Sequence, residues 1–181
     1  MSGPTTPALS TRAGTLDDLS ALHALIERAY RGETARKGWT NEADLLDGQR
    51  TDVAELTDIL TDPARVMLVA EEAGTLFACL QLVDEGAATA YLGMLSVEPE
   101  RQAGGLGRFM IAAAEAEAVA RFGARTMRMT VIRQRPELIA WYERRGYALT
   151  GETEPFPLSD ERFGLPRRQD LEFVVLAKTL A

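Results

Sequence analysis

"SVEPERQAGGLGRFM", residues 96–110, sets three glycines between an apolar, strand-like run and an alanine-rich, helix-like run. Glycine inside a regular element costs roughly 0.5–1 kcal/mol relative to alanine. Glycines at a strand-to-helix junction therefore point to a turn that needs positive φ, or to a ligand that comes close to the backbone. Such a turn leaves the first N–H groups of the helix unpaired, at the positive end of its dipole. With no Cβ atoms in the way, a phosphate can reach them. "QAGGLGR" reads as an anion cradle, and Arg108 is placed to add a charged contact.

Two familiar phosphate loops fail on spacing. A P-loop needs Lys-Ser or Lys-Thr after its last glycine, and Arg108-Phe109 follows Gly107. A dinucleotide fingerprint needs a third glycine at position 110 and an acid about 20 residues on, and both positions hold methionine.

Outward from the glycines, the periodicity changes several times. "ALSTRAG" reads as a first strand. Thr15 opens a helix through a capping box, Thr-x-x-Asp, with Leu19, Leu22, Ile26 and Tyr30 on one face. Residues 31–50 are polar, with a short helix expected at 41–46. Thr51 opens another helix carrying Val53, Leu56 and Leu60, with Pro63 past its end. "RVMLVA" and "TLFACLQLV" flank a hairpin turn, and "AATAYLGMLSV" is the next strand. A helix over about 105–122 ends at Gly123. "TMRMTVI" alternates as a strand, Met127, Met129 and Val131 on one face. "RPELIAWYERRG" is a helix with Pro136 in its first turn, and "YALTGE" and "LEFVVLAKTL" close the chain as strands. The order β-α-α-β-β-β-α-β-α-β-β predicts an α/β (α+β) fold, a mixed sheet with helices on its faces.

Composition bounds the rest. The 181 residues suit one domain over 8–181 behind a flexible tail at 1–7. One cysteine excludes an internal disulfide and a cysteine-cluster metal site; Cys79 reads as a small buried hydrophobe. His23, the only histidine, has no catalytic partner nearby and reads as structural. The first residues lack the pattern of a signal peptide, and no apolar run reaches the ~18 residues of a membrane span. A cytoplasmic protein with no membrane partner is expected. The formal charge of −7 argues against nucleic acid and weakly favours a cationic small substrate.

Gln102-x-x-Gly105-x-Gly107, with "LSVEPER" before it, resembles the acetyl-CoA motif of the GNAT superfamily of N-acetyltransferases. "LIAWYERRGYALTGE" is similar to that family's second motif, in which a helical tyrosine precedes Glu-x-x-Gly-aromatic. The two stand in the family's order. The resemblance implies a mixed sheet of six to seven strands with about four helices, splayed between the strand ending at Val97 and the one starting at Thr126. It implies acetyl-CoA as cosubstrate, no metal, and direct transfer of acetyl to a primary amine in a ternary complex, with a small molecule as the expected acceptor. A protein or peptide acceptor, a non-catalytic acyl-CoA-binding module, a longer acyl donor and a homodimer stay open.

Residue by residue, the resemblance implies that the backbone of Leu95, Ser96 and Val97 contacts pantetheine, with the Val97 N–H polarising the thioester carbonyl. The amides of Gln102, Ala103, Gly104, Gly105, Leu106, Gly107 and Arg108 would hold the pyrophosphate. Tyr142 would protonate the departing thiolate, while Trp141 packs. Where the family often has asparagine this chain has Arg135, so Arg133 or Arg135 would meet phosphate instead. The strand before the first motif lacks the family's frequent glutamate, and no base is named. The acceptor site would draw on "GWTNEADLLDGQRT", with Trp39 stacking, Glu42 attracting and Arg50 anchoring a substrate. "PFPLSDERFGLPRRQD" is either a cover for the acceptor or a solvated loop.

Overall fold

A computed structural model describes residues 9–38 and 41–181 of the chain; the expected tail at 1–7 and Trp39 lie outside them. Chain order gives β1 (Ser10–Ala13), α1 (Leu19–Tyr30), α2 (Gly32–Ala35), β2 (Leu46–Asp47), α3 (Val53–Thr61), β3 (Arg65–Glu72), β4 (Thr75–Gly86) and β5 (Thr89–Val97). After the glycines come α4 (Leu106–Phe122), β6 (Thr126–Ile132), α5 (Pro136–Glu143), β7 (Ala148–Pro155), β8 (Leu165–Pro166) and β9 (Glu172–Thr179). Seven strands form one sheet in the order β1-β3-β4-β5-β6-β9-β7, and β2 pairs with β8 in a separate ribbon. The mixed α/β fold is the one the sequence predicts.

The central strands β3 and β4 are buried on both faces, which explains their apolar runs, whereas the edge strands β1 and β7 are largely exposed. Along β3, Val66, Leu68 and Ala70 enter one core with β5, β6, α4 and α5. Met67 and Val69 alternate into the other, with α1 and α3. Helix α1 buries Leu22, Leu25, Ile26 and Ala29 completely, a stripe at i, i+3, i+4 and i+7. Each of its large side chains contributes about 1.5–3 kcal/mol by leaving water.

Local details differ from the sequence reading. The Thr15 capping box exists, with the Thr15 N–H donating to the Asp18 carboxylate at 2.8 Å, but it closes a 3-10 turn, and α1 starts at Leu19. Helix α3 is capped by Asp52, which accepts from the Glu55 N–H. It buries Leu56 and Ile59 and leaves Val53 51% exposed. The helix expected at 41–46 is instead a turn leading into β2, whose residues pair with Leu165 and Pro166. That long-range pairing outweighs a weak local preference.

One junction positions everything that follows. Strands β5 and β6 run parallel and pair only through Thr89, Ala90 and Tyr91 against Thr126, Met127 and Arg128. Beyond that they part, as the resemblance implies. A bulge in β5 contributes to the parting. Ser96 faces Cys79 while Gly93 faces Gln81, so β5 carries one extra residue. Met94 takes it up at φ +53°, a strained conformation for a side chain of its size. The Ser96 hydroxyl, donating to the Met94 carbonyl at 2.9 Å, secures the bend. Bulges of this kind bend the strand that carries them.

Candidate active site

The opening between β5 and β6 encloses a narrow cavity of about 80 Å³. Residues 91–95 and 129–132 form two walls. Tyr30, Glu42, Arg50, Arg135, Leu138, Tyr142 and Phe173 complete it. Pockets for drug-sized ligands run to about 300–1,000 Å³, so this cavity is too small to enclose a whole ligand of that size. A wider groove of about 560 Å³, along α1, α2 and the β2–β8 ribbon, shares no lining residue with it.

Three tyrosines line the cavity. Tyr30 donates to the Leu95 carbonyl at 2.6 Å, and burial pushes its phenol up to about 12. Tyr91 shares a 2.9 Å hydrogen bond with the Thr130 hydroxyl. Its ring occupies space that a Cβ on Gly93 would enter at 2.9 Å, so Gly93 is required there. Tyr142, on α5, is 6% exposed and lies edge-on to Trp141 and Tyr147. Its hydroxyl bonds to no other described residue, and burial drives its pKa well above the phenol value, against the pull of Arg135. It stays protonated at any working pH.

Charge on the wall is uneven. Glu42, 12% exposed at its side chain, pairs with Arg31 at 2.7 Å and with Arg135 at 3.8 Å. Arg135, expected at a phosphate, is 4% exposed and turned toward Glu42 and Glu137 instead. Arg133 pairs with Glu172 at 2.7 Å. Arg50 stacks its guanidinium 5.0 Å from the Tyr30 ring centre. Glu42 and Arg50 thus both line this cavity. The loop over 155–170 is pinned beside them. The Phe163 carbonyl accepts from Arg31 at 3.2 Å, Arg167 pairs with Asp47 at 2.6 Å, and Phe156 packs on Phe173.

The glycine turn lies at the far end of β5. A 3-10 turn, Pro99–Gly104, leads into α4, and Gly105 takes φ +76° as the N-cap. That φ explains one glycine. Gly104 has neither positive φ nor a neighbour within 4 Å of a built Cβ, so neither conformation nor packing calls for glycine there. Ala103, Gly104, Gly105 and Arg108 are exposed, whereas Leu106 and Gly107 are buried. Within this turn the Phe109 N–H donates to the Gly105 carbonyl at 3.0 Å; the amides before it fall in the unpaired first turn. The Gln102 side chain donates to the Val97 carbonyl at 2.9 Å and so anchors the turn to the strand. Since the Glu98 N–H donates to Phe77 on β4, alternation along the strand turns the Val97 N–H away from β4. The Leu95 carbonyl is taken by Tyr30, and the Ser96 side chain points into the core beside Cys79. Arg108 forms no ion pair with a described residue and lies close enough to Arg144 and Arg145 for their charges to depress the Arg145 pKa, after burial has done most of it. This basic cluster beside the turn belongs to "ERRG" of the second motif. The sequence reading passed over it, although its two adjacent arginines are plain to see.

Among the described residues no helix is long and apolar enough to cross a membrane, and no cluster of His, Cys, Asp or Glu is placed to hold a metal. The family model for the acetyltransferase (GNAT) family matches residues 22–147, so the chain belongs to that family. No curated relative matches at the sequence level. Solved structures with the same fold include the ribosomal-protein-S18-alanine N-acetyltransferase of Escherichia coli, with 16% identity, 96% of this chain and 95% of that one covered, and TM-score 0.70. The spermidine/spermine N-acetyltransferase of Vibrio cholerae gives 18%, 95% and 92%, and 0.66. A putative acetyltransferase of Salmonella typhimurium, solved with its cofactor acetyl-CoA, gives 18%, 96% and 95%, and 0.66. At such identities the likeness concerns the fold.

Proposed function

We propose that the chain is an acetyl-CoA-dependent N-acetyltransferase acting on the primary amine of a small molecule. The observation that carries this reading is the gap between β5 and β6: it has the buried Tyr142 in its wall and leads along β5 to an open glycine turn. The residues present fit acetyl-CoA. The unfilled space at Gly104 and Gly105 admits a pyrophosphate, and Arg108 with Arg144 and Arg145 supplies countercharge.

When bound, acetyl-CoA supplies an acetyl thioester. The backbone of β5 beyond the bulge orients its pantetheine arm, and the Val97 N–H, turned away from β4, donates to the thioester carbonyl as charge develops there. Glu42 is the carboxylate of the cavity wall among the described residues; held by Arg31 and Arg135, it draws an ammonium by its charge, and the amine gives up its proton to water before it attacks. The free amine attacks the thioester carbonyl, the C–S bond breaks, Tyr142 gives its proton to the sulfur, and the proton shed by the acylated nitrogen returns to the Tyr142 phenolate, directly or through water. A buried phenol is a poor acid against a thiol in water, with reference values near 10 and 8.5. The cavity that raises the phenol pKa also destabilises a thiolate, so the transfer stays matched. Arg135 belongs to the acceptor side here, not to the phosphate.

The test is thiol release from acetyl-CoA with a panel of amines. Turnover that depends on an amine supports the reading. Binding of acetyl-CoA with no turnover for any amine favours an acyl-CoA-binding module.

A further inference from the structure

We propose that the acceptor carries a carboxylate as well as its amine, and that Arg50 is the residue that recognises it. This rests on the transferase reading and specifies its substrate class.

The argument starts from how Arg50 is held. Its backbone N–H donates to the Glu27 carboxylate at 2.7 Å, and the neighbouring Thr51 N–H shares that oxygen at 2.9 Å. This fixes the Cα on the cavity rim. The guanidinium then lies over the Tyr30 ring, and Tyr30 is itself fixed to the Leu95 carbonyl. Arg50 is thus positioned opposite the stretch of β5 along which the acetyl group is expected.

Its partners are the second point. Among the described residues no carboxylate comes within ion-pair distance of Arg50. The other arginines around the cavity have carboxylate partners. Arg31 and Arg135 share Glu42, and Arg128 pairs with Glu85 and Glu154. Glu42, whose oxygens face Arg31 and Arg135, acts on Arg50 through its charge, as Glu55 does, but forms no ion pair with it. A guanidinium out of bulk water with no counterion is unfavourable, and its planar fork matches a carboxylate in two parallel hydrogen bonds. The overall charge of −7 lies elsewhere. The cavity wall itself carries two arginines against one shared carboxylate.

That balance selects among amines. An amino acid places a carboxylate on Arg50 and its ammonium toward Glu42, on a skeleton short enough for the cavity. A polyamine brings only positive charge to a wall that is already net positive, so the weak preference for a cationic substrate drawn from net charge does not hold at the site.

The experiment compares common α- and ω-amino acids with their carboxamides, and with spermidine, by thiol release from acetyl-CoA. For the parent, an amino acid should exceed its own carboxamide about a hundredfold in kcat/KM, the usual order for losing one partner of a buried charged pair. Arg50→Gln should abolish that preference while leaving KM for acetyl-CoA unchanged, and Arg50→Lys should restore part of it. Equal rates on acid and carboxamide, a preference for spermidine, or an equal loss on all acceptors in Arg50→Gln would overturn the proposal. If the parent turns over no amine, calorimetry with N-acetylglycine in the presence of CoA decides. Binding by the parent but not by Arg50→Gln supports the role of Arg50; equal or absent binding in both refutes it. Failure of the parent to bind acetyl-CoA counts against the transferase reading separately.

Discussion

Replacing Tyr142 by phenylalanine removes one oxygen from the cavity wall and nothing from the packing. The ring contacts to Trp141 and Tyr147 remain, and no hydrogen bond to a described residue is lost. Stability should therefore change by no more than about 0.5 kcal/mol, or roughly 2 °C in Tm for a domain of this size. The chemistry should suffer. General acids contribute about 10²–10⁴-fold, and a thiolate with a reference pKa near 8.5 leaves tolerably unaided, so we expect the low end. A fall of about 10² in kcat corresponds to about 2.7 kcal/mol of barrier. Tyr30→Phe is the control in the same cavity. It strips the Leu95 carbonyl of its 2.6 Å partner, and a buried acceptor left unpaired costs about 1–3 kcal/mol. Its Tm should drop by roughly 2–12 °C at 2–4 °C per kcal/mol. Thiol-release kinetics and thermal melts on both variants separate the roles. If Tyr142→Phe melts early and keeps its kcat, the hydroxyl is structural and the assignment of a proton donor is refuted.

Two further outcomes follow from the electrostatics. Burial raises the pKa of Cys79 and Tyr30, each to about 12, and of Tyr142 and Tyr147 as well. The folded state therefore retains protons that the unfolded chain gives up from about pH 9 to 10. This stabilisation is complete below about pH 8 and is lost as pH rises toward 12; Tm should decline steadily from pH 9 to 11, and a flat profile would contradict the burial of these groups. Arg108→Ala should weaken acetyl-CoA binding about tenfold, as expected for one charge-assisted phosphate contact, and flatten its salt dependence, with amine KM unchanged; calorimetry at two ionic strengths reads both.

The parts of the site that were legible in the sequence are local ones. Gly104, Gly105 and Gly107 declare a turn whatever surrounds them, and Met127, Met129 and Val131 alternate visibly because β6 is regular. Tyr142 was legible through its neighbours, since α5 and the glycine after it form one continuous segment. What distant pairing decides was not. Glu42 meets Arg135 only because the segment after α2 folds against the start of α5, and β2 exists only because residues 165 and 166 lie beside it. Its place in the chain suggests a phosphate contact for Arg135, and only the fold shows that it lies 3.8 Å from Glu42. The bulge at Met94 left one trace, Gly93 inside an apolar strand, a position that commonly marks a bulge or a close approach. Tyr30 looked like any core residue of an amphipathic helix; its hydroxyl finds Leu95 across 65 positions.

The claim that the gap and glycine turn hold acetyl-CoA is tested most directly by calorimetric titration of acetyl-CoA into the parent and Gly104→Val. A Cβ at 104 meets nothing within 4 Å and the position needs no positive φ, so the variant should melt with the parent. Its side chain would nevertheless occupy the space assigned to the pyrophosphate. The account predicts a parent that binds and a variant with the same Tm whose affinity falls at least about tenfold, or about 1.4 kcal/mol. Equal affinity in the two proteins, or no binding by the parent, would contradict it.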